Sequence, residues 1–173
     1  MLAVGDPIPG GTLREFVEVE ANGCSLGPNA FDVAEISKGK TIVVFGLPGA
    51  FTPTCSAKHV PGYVAEAAAL RAAGVDEVWC VSVNDPFVMG AWGREQKTTG
   101  SVRMMADGAA EWTGRAGLTM DLTARGMGIR SQRYSMLVRD GVVRTLNVEA
   151  PGQFAVSDAA TILKQAQALR DTP

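Results

Sequence analysis

The feature that most constrains this chain is a short apolar segment followed closely by a long helical pattern. Residues 41–45 read TIVVF, are rich in β-branched side chains and lie between Gly39 and Gly46. Such a run is typical of a strand that is covered on both faces of a sheet. In residues 54–73 apolar side chains recur at helical spacing until Gly74 ends the pattern. The sequence therefore predicts a central strand that leads directly into a long helix.

The rest of the chain continues this alternation of strands and helices, which predicts an α/β fold. We expect an early hairpin, a second buried strand and helix, a short strand, a weaker helix, a closing hairpin and a last helix. These elements are residues 13–19 with Asn22-Gly23 as the turn, 75–83, 86–97, 102–105, 109–117, 134–138 with 142–148 around Asp140-Gly141, and a helix to about residue 169 capped by Ser157. Pro61 lies inside the long helix and has no backbone N–H, so we expect a kink near Ala57.

Composition excludes several classes of function. With 173 residues, 46 % of them hydrophobic, the chain can bury a real core, and we expect a single domain over residues 1–173. The formal net charge is −2, so the chain has no excess of basic residues with which to bind nucleic acid or an anionic membrane. No apolar run is long enough to span a bilayer, and no targeting segment is visible, so we expect a cytoplasmic protein. The sparse cysteines and the single histidine argue against a disulfide scaffold or a metal site, and no cofactor is expected.

The chemistry is concentrated in residues 46–62, GLPGAFTPTCSAKHVPG, between the central strand and the long helix. Thr52 suits the N-cap and Pro53 the first helical position, which places Cys55 in the first turn. There its sulfur would face unpaired N–H groups and the positive end of the helix dipole, which favour the ionised thiolate. A reactive thiolate would also need a permanent cation to stabilise charge that develops on a leaving group. The candidates that lie near one another are Arg125, Arg130 and Arg133.

This pattern resembles the peroxiredoxins. Pro48, Thr52 and Cys55 form the PxxxTxxC motif of that family, and PGAFTPTCSxxHxPG resembles its fifth, plant type-two-like subfamily. Four further segments are similar to the same subfamily: SVNDPFVMGAWG, RMMAD, RYSMLVRDGVV and LNVE, within a resemblance that covers about residues 4–163. The resemblance implies a thioredoxin-like fold with a mixed central sheet, flanking helices and an N-terminal hairpin extension, and it implies a homodimer.

The resemblance also implies a role for four residues. Cys55 would be the peroxidatic nucleophile, Thr52 the hydroxyl that orients the peroxide, Pro48 the shield over the thiolate and Arg133 the catalytic cation. Attack on hydrogen peroxide or an alkyl hydroperoxide would leave a sulfenic acid that a thiol must reduce. We expect glutathione with glutaredoxin, or thioredoxin, to be the external reductant, because the segment in which some relatives carry a resolving cysteine reads QFAVS here.

Other interpretations of these residues stay open. Cys80 could resolve the sulfenate or could be a packed thiol in a core strand, while Cys24 is more simply an inert residue. His59 is four residues from Cys55, which allows a Cys/His hydrolase, although a structural histidine is the simpler interpretation. The chain could also sense peroxide as a redox switch or holdase without turnover. A thiol-disulfide oxidoreductase is disfavoured because the sequence has no CxxC pair.

Overall fold

The computed structural model describes residues 1–18 and 26–173. In chain order the elements are β1 Thr12–Val17, β2 Gly27–Asp32, α1 Val33–Ser37, β3 Thr41–Leu47, a π-helical turn Cys55–His59, α2 Val60–Ala72, β4 Glu77–Ser82, α3 Pro86–Gln96, β5 Arg103–Ala106, α4 Glu111–Arg115, β6 Thr119–Leu122, a 3-10 turn Thr123–Arg125, β7 Gly128–Ser131, β8 Tyr134–Arg139, β9 Val142–Val148 and α5 Ala159–Arg170. No helix within these ranges combines the length and apolarity that a bilayer span requires.

Seven strands form one mixed sheet in the order β2-β1-β5-β4-β3-β8-β9. The strands β3, β4 and β5 are parallel, while β8, β9 and the β1-β2 hairpin pair antiparallel. The predicted central strand is confirmed, since β3 lies between β4 and β8 and extends to Leu47. The predicted early hairpin is confirmed by the pairing of β1 with β2, whereas its turn at Asn22-Gly23 and Cys24 lie outside the described residues.

The two faces of the sheet bury separate hydrophobic cores because side chains alternate along each strand. From β3, Val43 and Phe45 face the core that includes buried residues of α2, α3 and α5. Ile42 and Val44 face the other core, which includes Trp112 of α4. Since both faces are covered, the strand must be apolar throughout, as the sequence pattern indicated.

The structure gives detail at one expected helix irregularity and corrects one expected helix cap. Near Ala57, where the kink was expected, the long helix contains a π-helical turn after residues 53–54: the Val60 N–H bonds the Cys55 carbonyl, five residues earlier. Pro61 follows directly and has no N–H to offer the Ala57 carbonyl. The cap of α5 is Asp158, whose carboxylate accepts from the Thr161 N–H, and not Ser157. The pair β6-β7 was not predicted from the sequence.

Candidate active site

Cys55 lies in the first turn of the long helix, just after the loop that follows β3. After Leu47 a five-residue loop leads to helical residues 53–54, and the Thr52 carbonyl accepts the first helical hydrogen bond, from the Ser56 N–H at 3.0 Å. Thr52 therefore stands at the predicted N-cap position, although its hydroxyl donates to the Gly49 carbonyl at 2.7 Å instead of capping an N–H. The Cys55 side chain is fully buried in the core shared with α2 and α5.

A neighbouring loop holds this segment in place. The Asn84 side-chain oxygen accepts from the Ala50 N–H at 3.0 Å and from the Ser82 hydroxyl at 2.6 Å. Because Asn84 lies two residues after the end of β4, it connects the loop after β3 to the end of the adjacent parallel strand. Sequence reasoning assigned no role to Asn84. Its only signal was its place in the SVNDPF segment, at the carboxyl end of a predicted strand, where sites in α/β sheets gather.

The fold brings Arg133 into contact with Cys55, although the two residues are 78 positions apart in the chain. It directly precedes β8, which pairs with β3, so its guanidinium reaches the carboxyl end of β3. One nitrogen, Nη2, donates to the Cys55 Sγ at 3.2 Å, and the other, Nη1, contacts His59 Nδ1 at 2.8 Å. A guanidinium only donates hydrogen bonds, so Nδ1 must accept. The Arg133 guanidinium therefore bridges the Cys55 sulfur and the His59 imidazole.

The other two arginines have different environments. Arg130 donates to the backbone carbonyls of Met127 at 2.9 Å and Val83 at 3.3 Å, and its guanidinium packs against Gly49, where a Cβ would stand only 2.9 Å from Nη1. Arg130 thus supports the loop from outside. Arg125 is exposed in the 3-10 turn. Of the three candidates, the guanidinium that contacts the sulfur is that of Arg133.

His59 is a neutral connector within this group. Since Nδ1 accepts from Arg133, Nε2 carries the proton and donates to the Ser157 carbonyl at 3.1 Å. Burial, reinforced by the positive charge of Arg133, lowers the pKa of His59 to about 3. Both ring nitrogens are therefore engaged away from the sulfur. This arrangement gives no support to a Cys/His hydrolase, in which the imidazole would take a proton from the thiol.

Cys80 has an apolar environment within a strand, unlike Cys55. It lies in the middle of β4, paired with Phe45 of β3, and is fully buried in the same core as Cys55. Burial, together with the nearby Cys55, raises the pKa of the Cys80 thiol well above its ordinary value. The structure thus agrees with the interpretation of Cys80 as a packed core thiol, and both Cys55 and Cys80 are free thiols.

A cavity of about 600 Å³ adjoins the site. Its walls include Pro48, Thr54, Arg133 and Phe154, and the exposed Lys58 lies at its edge. The four residues that the sequence singled out are therefore neighbours: Cys55 and Thr52 share one helix start, Arg133 contacts the sulfur, and Pro48 lines the cavity with Arg133. Within residues 1–18 and 26–173, no three His, Cys, Asp or Glu side chains are grouped so that they could hold a metal ion.

The chain is similar to known proteins over nearly its whole length. The Redoxin family matches residues 3–163. Peroxiredoxin-2B of Arabidopsis thaliana is 46 % identical over 163 residues, which cover 94 % of this chain and 97 % of that protein. The crystal structure of reduced Prx3 from Vibrio vulnificus in complex with H2O2 has a TM-score of 0.88 at 47 % identity, covering 96 % of this chain and 99 % of that chain.

A further crystal structure is that of a Burkholderia cenocepacia protein described provisionally as a thioredoxin reductase. It has a TM-score of 0.94 at 64 % identity and covers 95 % of this chain and 97 % of that chain. The present sequence has neither the CxxC pair of a dithiol redox centre nor the GxGxxG motif of a dinucleotide site. The α/β, thioredoxin-like fold expected from the sequence is confirmed by these structures. With this fold and these relatives, the chain belongs to the peroxiredoxins, the thiol-dependent peroxidases of the Redoxin family.

Proposed function

We propose that Cys55 is the peroxidatic nucleophile and that it reduces hydrogen peroxide and alkyl hydroperoxides. The observation that carries this proposal is the 3.2 Å contact between Arg133 Nη2 and the Cys55 sulfur at the start of a helix. A guanidinium stays positive at any working pH, so it stabilises the thiolate before the reaction. It can then stabilise the negative charge that moves onto the departing peroxide oxygen.

The first step is a displacement at oxygen. The Cys55 thiolate donates an electron pair to one peroxide oxygen, an S–O bond forms and the O–O bond breaks. The departing oxygen takes a proton and leaves as water or an alcohol, and the cysteine becomes a sulfenic acid. Two electrons move from sulfur to the peroxide, so no prosthetic group takes part.

Thr52 and Pro48 would prepare the substrate for this step. Because the Thr52 hydroxyl already donates its proton to the Gly49 carbonyl, its oxygen is left to accept from a peroxide O–H. Pro48 lines the cavity beside Arg133 and has no backbone N–H, so it restricts water near the sulfur without adding a competing donor.

The sulfenic acid would be recycled by an external thiol, with glutathione and glutaredoxin, or thioredoxin, as the reductant. One thiol forms a mixed disulfide with Cys55 and releases water, and a second thiol then regenerates the Cys55 thiol. An internal route through Cys80 is less well supported, because that thiol is fixed in a central strand and its raised pKa disfavours the reactive thiolate. Residues 153–157 contain no cysteine.

A homodimer in the cytoplasm belongs to the same proposal. Phe51, in the loop beside the site, and Phe87, at the start of α3, are 51 % and 63 % exposed. A protein contact that covered these two side chains would remove apolar area from water, which stabilises association. Trp92, by contrast, is a core residue, with its Nε1–H donated to the Ser56 hydroxyl at 3.1 Å.

The test compares Cys55→Ser with Cys80→Ser. Peroxide consumption with glutathione and glutaredoxin should vanish in the first variant and persist in the second. Intact mass after one equivalent of peroxide should show one oxygen added, or its thiol-trapped product, at Cys55. Turnover that survives in Cys55→Ser would refute the proposal, and loss of two hydrogens with Cys55 joined to Cys80 would replace the external thiol by an internal resolver. Oxidation without turnover would indicate a peroxide sensor instead.

A further inference from the structure

A nearly buried carboxylate in the wall of the same cavity accepts hydrogen bonds from an unusual set of donors. Glu149, just after β9, is 7 % exposed. Its oxygens accept from the N–H groups of Ala155 and Val156 at 2.9 Å and of Ser157 at 2.8 Å, and from the Ser157 hydroxyl at 2.7 Å. Three consecutive backbone N–H groups therefore converge on one side chain. Such an arrangement fixes the path of the loop before α5, and an ionised acceptor makes each bond stronger.

The loop that Glu149 holds is the one that orients His59. The Ser157 carbonyl accepts from His59 Nε2 and, at 2.8 Å, from the Tyr63 hydroxyl. The ring of Phe154, in the same loop, packs edge-on against His59 at 5.0 Å between ring centroids. The Ser157 carbonyl favours the tautomer with the proton on Nε2, which leaves Nδ1 as the acceptor for Arg133.

Glu149 also holds Arg133 from the backbone side. Its N–H donates to the Arg133 carbonyl at 2.9 Å, which continues the pairing of β8 with β9. The Arg133 guanidinium also lies 5.8 Å from the Phe154 ring centroid. Glu149 thus holds the main chain of Arg133 by a direct hydrogen bond. It also acts on the Arg133 guanidinium indirectly, through Ser157 and His59.

We propose that Glu149 is a positioning residue that directs the Arg133 guanidinium at Cys55 by fixing the Ser157 carbonyl and, through it, the tautomer of His59. This inference rests on the proposed function of Cys55 and Arg133. A carboxylate suits this place because all four groups that meet it are donors: Oε2 accepts from every one of them, and Oε1 accepts from the Ala155 N–H. Glutamine would turn an NH₂ group toward at least one of them, and donors do not bond one another. A small displacement of a catalytic group costs a large factor in rate.

The experiment compares Glu149→Gln with Asp107→Asn. Asp107 is a matched control, since the residue is 4 % exposed and its carboxylate accepts from two consecutive N–H groups, those of Trp112 and Thr113, in the first turn of α4. His59 is the only histidine in the sequence, so the ¹⁵N signals of its ring need no assignment by mutation. At neutral pH the wild-type protein should show one tautomer, protonated at Nε2.

In Glu149→Gln we expect a mixture of His59 tautomers and about a tenfold or larger loss in the rate of the first peroxide step. Reduction of the sulfenic acid by thiol should change little. Asp107→Asn should keep the wild-type tautomer and rate even where it lowers stability. If Glu149→Gln does not fold, Ser157→Ala removes only the hydroxyl donor and should still shift the tautomer signals and slow the peroxide step.

Two results would overturn the inference: a wild-type tautomer and rate in the folded variant, Glu149→Gln or Ser157→Ala, or equal losses in the Asp107 control. The function itself fails by a separate measurement, because turnover in Cys55→Ser would refute it whatever the spectrum of His59 shows.

Discussion

Cys55 and Cys80 are equally buried, face the same core and differ in almost everything else. Cys80 sits in the middle of a parallel strand, where backbone groups are already paired and its neighbours are apolar. Cys55 sits at the start of a helix, where a guanidinium donates to its sulfur. Burial alone therefore does not decide whether a thiol is inert. The decisive difference is whether a positive partner is buried with it.

The surroundings of Arg133 explain why its positive charge acts on the Cys55 sulfur. The Arg133 guanidinium donates to a sulfur and to an imidazole, and the imidazole is neutral. A carboxylate in the place of His59 would compete with the sulfur for the positive charge. A neutral acceptor holds the guanidinium in position and leaves its charge for Cys55. Three measurements test this difference between the two cysteines.

The largest effect should come from Arg133→Lys. Lysine keeps the charge but cannot donate to the sulfur and the imidazole from one planar fork, so the peroxide step should slow by about 100-fold or more. The measurement is the single-turnover rate with hydrogen peroxide. Arg139→Lys is the control, since Arg139 ends the same strand and donates to the Leu169 carbonyl. Equal losses in both variants would make Arg133 structural and erase the difference between the two cysteines.

A smaller effect is expected when Cys80 is replaced by serine. The substitution puts a hydroxyl into an apolar, fully buried position and should lower the free energy of unfolding by about 1–3 kcal/mol. The rate of the peroxide step should stay at the wild-type value. Urea unfolding and the single-turnover rate measure the two quantities. A slowed peroxide step at unchanged stability would mean that Cys80 belongs to the reactive site.

The third effect is on stability alone and concerns the neutral state of His59. Its pKa is lowered to about 3, whereas an unfolded histidine titrates near 6.5. Between these values the unfolded chain binds a proton that the folded chain does not. Stability should therefore fall as the pH falls through this window, by up to about 1.4 kcal/mol per pH unit.

The measurement is urea unfolding at a series of pH values, with His59→Gln as the control. Glutamine does not titrate, so its curve should be shallower in the same window. Parallel curves would show that His59 binds its proton equally well in the folded and unfolded protein, so that its burial beside Arg133 does not keep it neutral.

The local parts of the site could be predicted from the sequence. The apolar run of β3, the Pro53 helix start and the position of Cys55 in the first turn all depend on neighbours along the chain. Arg133 is different, because charge and spacing alone could not choose among three nearby arginines. That choice came from the family resemblance, and the structure explains it through the pairing of β8 with β3.

The parts that could not be predicted depend on contacts between distant segments. Ser157 is a favourable cap residue, yet its hydroxyl is taken by Glu149 and Asp158 caps the helix instead. The Asn84 contact with the Ala50 N–H joins loops after two different strands. No periodicity encodes such pairs, since only the folded register brings them together.

The pairing of β3 with β8 has a consequence for the order in which the protein matures. Cys55 and Arg133 are 78 residues apart in the chain, and the contact between them depends on the docking of a late strand. Contacts of long sequence separation form late because loop closure must precede them. A growing chain that has made only β3, α2 and β4 would carry its cysteine without the cation. Reactivity toward peroxide should therefore appear only at the end of folding. The rate of the peroxide step would then measure how much of the protein has completed its sheet.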